Sequence, residues 1–163
     1  RDRSPSRGLG DVYKRQTIFL PKSFGSVILI TFSSAFLITE KPIQQKIIYT
    51  GTSDKTDWKS EAYRGLTEGV GDCFTFYSAS YALLQKIDCQ VLSVERLNGK
   101  TQHFWCLVNL GTGWYHFDAC NVGPEHLRCF MKTSEELVKY SVQYWRFDTS
   151  LYPPLETTPY SMS

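Results

Sequence analysis

The sequence predicts a mixed fold, with one buried helix followed by a three-stranded antiparallel meander over residues 73–118. Three observations carry this. In residues 73–86, Phe76, Tyr77, Ser80, Tyr81 and Leu84 recur at three- and four-residue steps, the period of a helix. Beyond it, alternating stretches are separated by turn signals at Asn98-Gly99 and Gly111-Thr112-Gly113. Finally, 163 residues with 42% hydrophobic and 15% aromatic side chains are enough for one well-filled core.

The elements follow in chain order. Residues 11–16, Asp-Val-Tyr-Lys-Arg-Gln, are what the bases GATGTGTATAAGAGACAG encode, a string that resembles the transposase adapter used in sequencing libraries. Residues 1–16 are therefore read as adapter-derived, disordered chain and set aside; the alternative is a native basic arm. Residues 17–39 are apolar with Lys22 as the only charge, and the uncharged run 23–39 is short of the roughly 20 residues a membrane span needs. Residues 17–48 thus stay open between a signal or membrane-proximal segment, a buried segment and a misframed stretch. The predicted domain is 49–152, and the Pro-, Ser- and Thr-rich residues 153–163 read as tail or linker.

Within the domain, Trp58, Ala62 and Leu66 at i, i+4 and i+8 predict a helix over 58–68, broken by Gly69 and Gly71. The helix 73–86 is apolar around most of its circumference, which places it inside the fold. Residues 89–97 and 101–110 form a hairpin about Asn98-Gly99, and 114–118 form the third strand. Residues 134–140 predict a short helix, with Ser134 near its cap and Glu135 and Glu136 in its first turn.

Three side chains stand where chemistry would need them. Cys73 closes Gly69-Val70-Gly71-Asp72-Cys73 and opens a helix, where unpaired N–H groups and the helix dipole favour negative charge. Gly69 and Gly71 keep bulk away from it, and nearby backbone N–H groups offer part of an oxyanion hole. His103 lies in His103-Phe104-Trp105, and Asp118 ends Trp114-Tyr115-His116-Phe117-Asp118. A two-residue loop at Gly111-Thr112 pairs Asn109 with Trp114, so partner numbers sum to 223. His103 then shares a face with Asp118 as its diagonal neighbour, at about 7–8 Å between Cα atoms. A loop of odd length would put the two on opposite faces. A thiol, an imidazole and a carboxylate so placed are the parts of an activated nucleophile.

Gly71-Asp72-Cys73, His103-x-Trp105 and Trp114…Asp118 together resemble the core signature of the transglutaminase-like superfamily, over residues 49–152. Tyr49-Thr50-Gly51 and residues 113–120 are similar to its bacterial extracellular branch. The resemblance implies an α+β fold with a transglutaminase-like (papain-like) core, the Cys-bearing helix packed on an antiparallel sheet. It also implies a catalytic triad, with Cys73 as nucleophile, His103 as general base and Asp118 as orienter. Trp58, Gly71 and Trp105 are the substrate-cleft candidates, Trp58 also being offered as oxyanion donor. The implied activity is cysteine-dependent acyl transfer on peptide or glutamine amides through a thioester, as a peptidase, amidase or acyltransferase. The implied setting is extracellular or at the cell surface, near membrane or cell wall, with a peptide or protein substrate and no cofactor.

Other readings compete. A net charge of +2, part of it in the first sixteen residues, gives no nucleic-acid footprint. The cysteine at a helix start is, on the bland reading, a small buried hydrophobe. The same fold with a dead site would be a binding or structural module. His116, Cys120, His126 and Cys129 are a rival zinc set with no standard spacing, so no metal is expected. Five cysteines are an odd number, and an exported chain would allow a Cys120–Cys129 disulfide.

Overall fold

The computed structural model describes residues 43–54, 57–120 and 129–161. The expectations for residues 1–16 and 17–42 lie outside them. The chain runs β1 (Ile48–Tyr49), α1 (Trp58–Glu68), β2 (Val70–Gly71), α2 (Cys73–Lys86), β3 (Gln90–Glu95), β4 (Phe104–Asn109), β5 (Trp114–Asp118), β6 (Cys129–Lys132), α3 (Ser134–Val138) and a 3-10 turn (Thr149–Leu151). Among the described residues, β3 to β6 form one antiparallel sheet in sequence order, and β1 pairs with β2 in parallel. The architecture is a mixture of helices and an antiparallel sheet, as expected. No helix of the described residues is long and apolar enough to cross a membrane.

Both helices begin and end where local chemistry dictates. The Asp57 carboxylate accepts from Lys59 N and Ser60 N to start α1, and Gly69, at φ 73°, closes it. That backbone region favours glycine, and here Lys46 O would also collide with any Cβ. Asp72 caps α2 through a reciprocal box. Its carboxylate takes Phe74 N at 2.8 Å and Thr75 N, while the Thr75 hydroxyl accepts from Asp72 N at 3.2 Å. Thr133, one residue before the expected Ser134, caps α3 with Glu136 as its partner.

The sheet has two dry faces, and this explains where the alternating pattern fails. β4 is buried along nearly its whole length. Phe104, Cys106, Val108, Tyr115 and Phe117 pack with α2 on one face. Trp105, Leu107, Leu137 and Trp145 pack on the other, under the segment that follows α3. A strand covered on both sides reads as a continuous apolar run rather than an alternation.

The β4–β5 register runs Asn109↔Trp114 to Cys106↔Phe117, so partners sum to 223 as expected. Asn109 Oδ1 fastens the turn by accepting from Gly111 N at 2.7 Å and Gly113 N at 3.2 Å. The other hairpin differs from expectation. Its register is Gln90↔Asn109 to Glu95↔Phe104, which does not centre a tight turn on Asn98-Gly99. Leu97 N turns away to Arg146 O at 2.8 Å, so the hairpin opens at its tip. His103 therefore sits just before β4 rather than within it. Strand β6 carries no alternation that the sequence exposes.

The packed body extends past the expected limits on both sides. Ile43 and Ile47 are core residues next to Leu66 and Phe74. Residues 153–161, expected as tail or linker, lie along β5: Leu155 bridges to Trp114, Glu156 N donates to Trp114 O at 3.0 Å, and Tyr160 stands edge-on to Tyr115. Composition suggested a linker, but the aromatic and aliphatic side chains in that stretch have apolar surface to cover.

Candidate active site

The three predicted residues meet at the open end of the β3–β4 hairpin, where the start of α2 faces the end of the sheet. Cys73 is the first residue of α2. His103 is buried at 3% exposure. Its Nε2 lies 2.7 Å from Asp118 Oδ2. The other carboxylate oxygen, Oδ1, accepts from Cys120 N at 2.8 Å, which fixes the plane of the group. With Nε2 committed to a carboxylate, Nδ1 is the other ring nitrogen, and the Tyr144 hydroxyl lies 3.3 Å from it. The Cys73 thiol donates to Gln102 O at 3.5 Å, which sets the sulfur beside the residue before His103, close enough to act on the ring's protonation.

The electrostatics of His103 are a contest. Burial drives its pKa down; the Asp118 carboxylate, by charge and hydrogen bond, drives it up, and so does the Cys73 sulfur. The upward causes win and the ring is pushed up to about 9. His103 is therefore an imidazolium at neutral pH, donating from Nε2 to Asp118 Oδ2.

Backbone amides at the helix start complete the centre. Phe74 N and Thr75 N are taken by Asp72, and the Cys73 N–H, at the first position of α2, is one of the amides a helix start leaves without an intrahelical acceptor. A donor of that kind beside the sulfur is what an oxyanion requires.

The cleft candidates fare differently. Gly71 pairs with Tyr49 across β1–β2, and a Cβ on it would overlap the Thr75 hydroxyl, so it protects the cap rather than an opening for substrate. We expect Gly71→Ala to cost roughly 1–3 kcal/mol, read as a lower urea midpoint. Its Cys73 should also be alkylated more slowly, because the start of α2 must shift. Trp58 is edge-on to Tyr81 at 4.9 Å. Tyr81 lies eight positions along α2 from Cys73, or about 12 Å at 1.5 Å per residue. Trp58 thus packs between α1 and α2. Trp105 is fully buried and lies nearly parallel to the His103 ring, 5.7 Å away at 26°. It backs the imidazole and does not wall an open cleft.

Several residues that shape this site were missed. Glu61, 2% exposed, accepts from Thr75 Oγ1 at 2.6 Å, Arg64 Nη2 at 3.0 Å and Asp54 N at 2.8 Å. Burial pushes its carboxyl up, but these donors hold it below the ordinary value. The cluster ties α1 to the cap of α2. Its only sequence signal is Asp72-x-x-Thr75, a variant of a capping box. Tyr144 places its hydroxyl 3.3 Å from His103 Nδ1 and its ring 4.6 Å from the imidazole, with Arg96 at 5.0 Å from the Tyr144 ring. Burial first, then the charges of Asp118, Cys120 and Cys73, push the phenol up, so it stays neutral. Nothing local could have found Tyr144, which is 41 residues from His103. Tyr49 stands half-exposed near Cys73, its phenol also pushed up, by burial and then by the charges of Cys73, Cys120 and Asp72.

The rival zinc set does not assemble from what is described. Both His116 nitrogens are engaged, Nδ1 accepting from Trp105 Nε1 at 3.0 Å and Nε2 lying 2.9 Å from Ser134 Oγ. His126 lies outside the described residues. Cys120 and Cys129 are buried in different core clusters and are not joined to each other, so the alternative disulfide is not formed.

No family model matches the sequence, and no curated protein matches it. Among solved structures, the chain is similar to a "putative cysteine protease" from Cytophaga hutchinsonii, at 21% identity and a TM-score of 0.49. The similarity covers 74% of this chain and 43% of that one, so the chain spans less than half the length of that protein.

Proposed function

We propose that the protein is a transglutaminase-like cysteine enzyme that cleaves or transfers acyl groups from peptide or glutamine amides. The observation that carries this is the chain of contacts from Cys73 through His103 to Asp118, with the ring held as an imidazolium. In this reading the Cys73 thiolate attacks the amide carbonyl, and the oxyanion forms against the Cys73 N–H. His103 Nδ1 delivers its proton to the leaving amine as the C–N bond breaks, leaving a thioester on the sulfur. Water then adds to the thioester, giving its proton to His103, and the carboxylic acid departs; an amine in place of water gives transamidation. Hydrolysis is the favoured outcome, since no feature of the site resembles a platform for a second amine. Asp118 holds the imidazole with Nδ1 towards the sulfur throughout.

A second reading, a module with a silent site, draws on one observation. Tyr144 occupies the side of His103 that faces the sulfur, and Cys73 is only 6% exposed. Site-resolved alkylation with iodoacetamide separates the two. An enzyme alkylates at Cys73 well below pH 8, while a silent thiol reacts only above it. Incubation with peptide libraries should then leave an acyl adduct on wild-type Cys73 and none on Cys73→Ala. Slow alkylation with no adduct would remove the enzyme reading.

A further inference from the structure

His116 is a buried, titratable side chain that the proposed chemistry does not use. It lies on β5 two residues before Asp118, is fully buried, and keeps both ring nitrogens bonded. Its tautomer is fixed by its partners. An indole N–H can only donate, so His116 Nδ1 must carry the lone pair. Nε2 therefore bears the hydrogen and donates to Ser134 Oγ, at the first turn of α3. Burial pushes the His116 pKa down to about 4, so the ring stays neutral and the tautomer persists.

That hydrogen bond does something the surrounding rings cannot. Trp145 and Phe147 both stand edge-on to Trp105, at 84°. Edge contacts are broad and weakly directional, whereas the bond from Nε1 to His116 Nδ1 is a directed anchor that fixes where the Trp105 indole lies, 5.7 Å from the His103 ring and at 26° to it. His103 and Asp118 are both buried, and the attraction between their charges depends on water staying out of the packing around them.

The geometry points to His116 as a positioning residue for the proposed reaction, acting through Trp105 on His103, with Ser134 locking its tautomer. This rests on the Cys73–His103 reading above. The groups that face His103 are Asp118, Cys73 and the Tyr144 hydroxyl, with Arg96 beyond the phenol. Around His116 stand Trp105, Ser134 and the edge of Phe147. Lys132 is its partner on β6 and is paired to Glu136 at 2.7 Å. Of these, only the Trp105 and Ser134 contacts bond the His116 ring.

The test compares wild type, His116→Leu, His116→Gln and Ser134→Ala. Proton NMR follows the His103 ring, and peptide mapping follows iodoacetamide alkylation of Cys73 across pH. Wild-type His103 is expected to titrate well above the ordinary 6.5, at about 9. In His116→Leu the midpoint falls by about a unit or more, and alkylation near pH 6 slows roughly tenfold. Glutamine can accept from the indole and donate to Ser134, so His116→Gln retains the wild-type behaviour. Ser134→Ala shifts the midpoint the same way by less, and decides the matter if His116→Leu does not fold. A folded His116→Leu with an unmoved His103 midpoint overturns the proposal, as does an unmoved Ser134→Ala where leucine is not tolerated. A wild type whose His103 titrates near the ordinary 6.5 would instead remove the ion pair, and with it the functional reading beneath.

Discussion

Asp118→Asn lowers kcat/KM for amide cleavage by roughly 10³–10⁴-fold and drops His103 from about 9 to below its ordinary range. Asparagine keeps an oxygen for Cys120 N, so the local fold has a reason to survive. The change falls on the other side of the group. An amide carries no charge, and its NH₂ facing His103 Nε2 would demand a lone pair there. The ring then turns its hydrogen to Nδ1 and loses the pull of a carboxylate. Burial, which opposes the charged ring, is left without its main opponent. A neutral ring hydrogen-bonded the wrong way round neither stabilises the thiolate nor holds a proton for the leaving amine. NMR titration of His103 and steady-state kinetics test the two halves separately. A variant with wild-type kinetics would leave Asp118 as packing alone.

The second large effect is on stability against pH, and the two buried histidines act in opposite directions. His103 has a folded pKa raised to about 9 from 6.5. Its contribution is complete below pH 6.5 and is lost as pH rises from there through 9. His116 has a folded pKa lowered to about 4 from 6.5. Its neutral form costs nothing above 6.5, and the cost of keeping it uncharged grows as pH falls through 6.5 towards 4. Each shift corresponds to roughly 3 kcal/mol at its limit. Urea denaturation should therefore show greatest stability near neutral or slightly acid pH, with an acid arm and an alkaline arm. Other groups, Glu61 among them, share the acid arm. The difference between wild type and His116→Gln isolates the histidine, and that between wild type and Asp118→Asn isolates the alkaline arm. Parallel curves for wild type and His116→Gln from pH 6.5 to 4 would contradict the buried neutral assignment.

What was legible in the chain was local. The limits of α2 and β5 could be read because a glycine-rich break, a helical repeat and a glycine turn are all contained within a few residues. The 223 register followed from a two-residue loop at Gly111-Thr112, where a loop of odd length would have reversed the faces, and the structure has that register. It was that register which set Asp118 diagonal to His103. Asn98-Gly99 misled for the opposite reason. The β3–β4 register and the bond from Leu97 N to Arg146 O are set by partners far along the chain, which a turn dipeptide does not reveal.

Sequence by itself determined which candidate groups are on offer, since the identity and order of Cys73, His103 and Asp118 and the helix start under the sulfur are all encoded within short windows. Only the tertiary structure decided the state of those groups. Whether a ring is charged depends on what lies within a few ångströms in a medium without water, and those neighbours come from everywhere. Tyr144 arrives from beyond α3, Trp105 is turned by a histidine one strand away, and Glu61 grips the cap of α2 from α1. Charge and burial act through space, and chain spacing says little about either until the two faces of the sheet are closed.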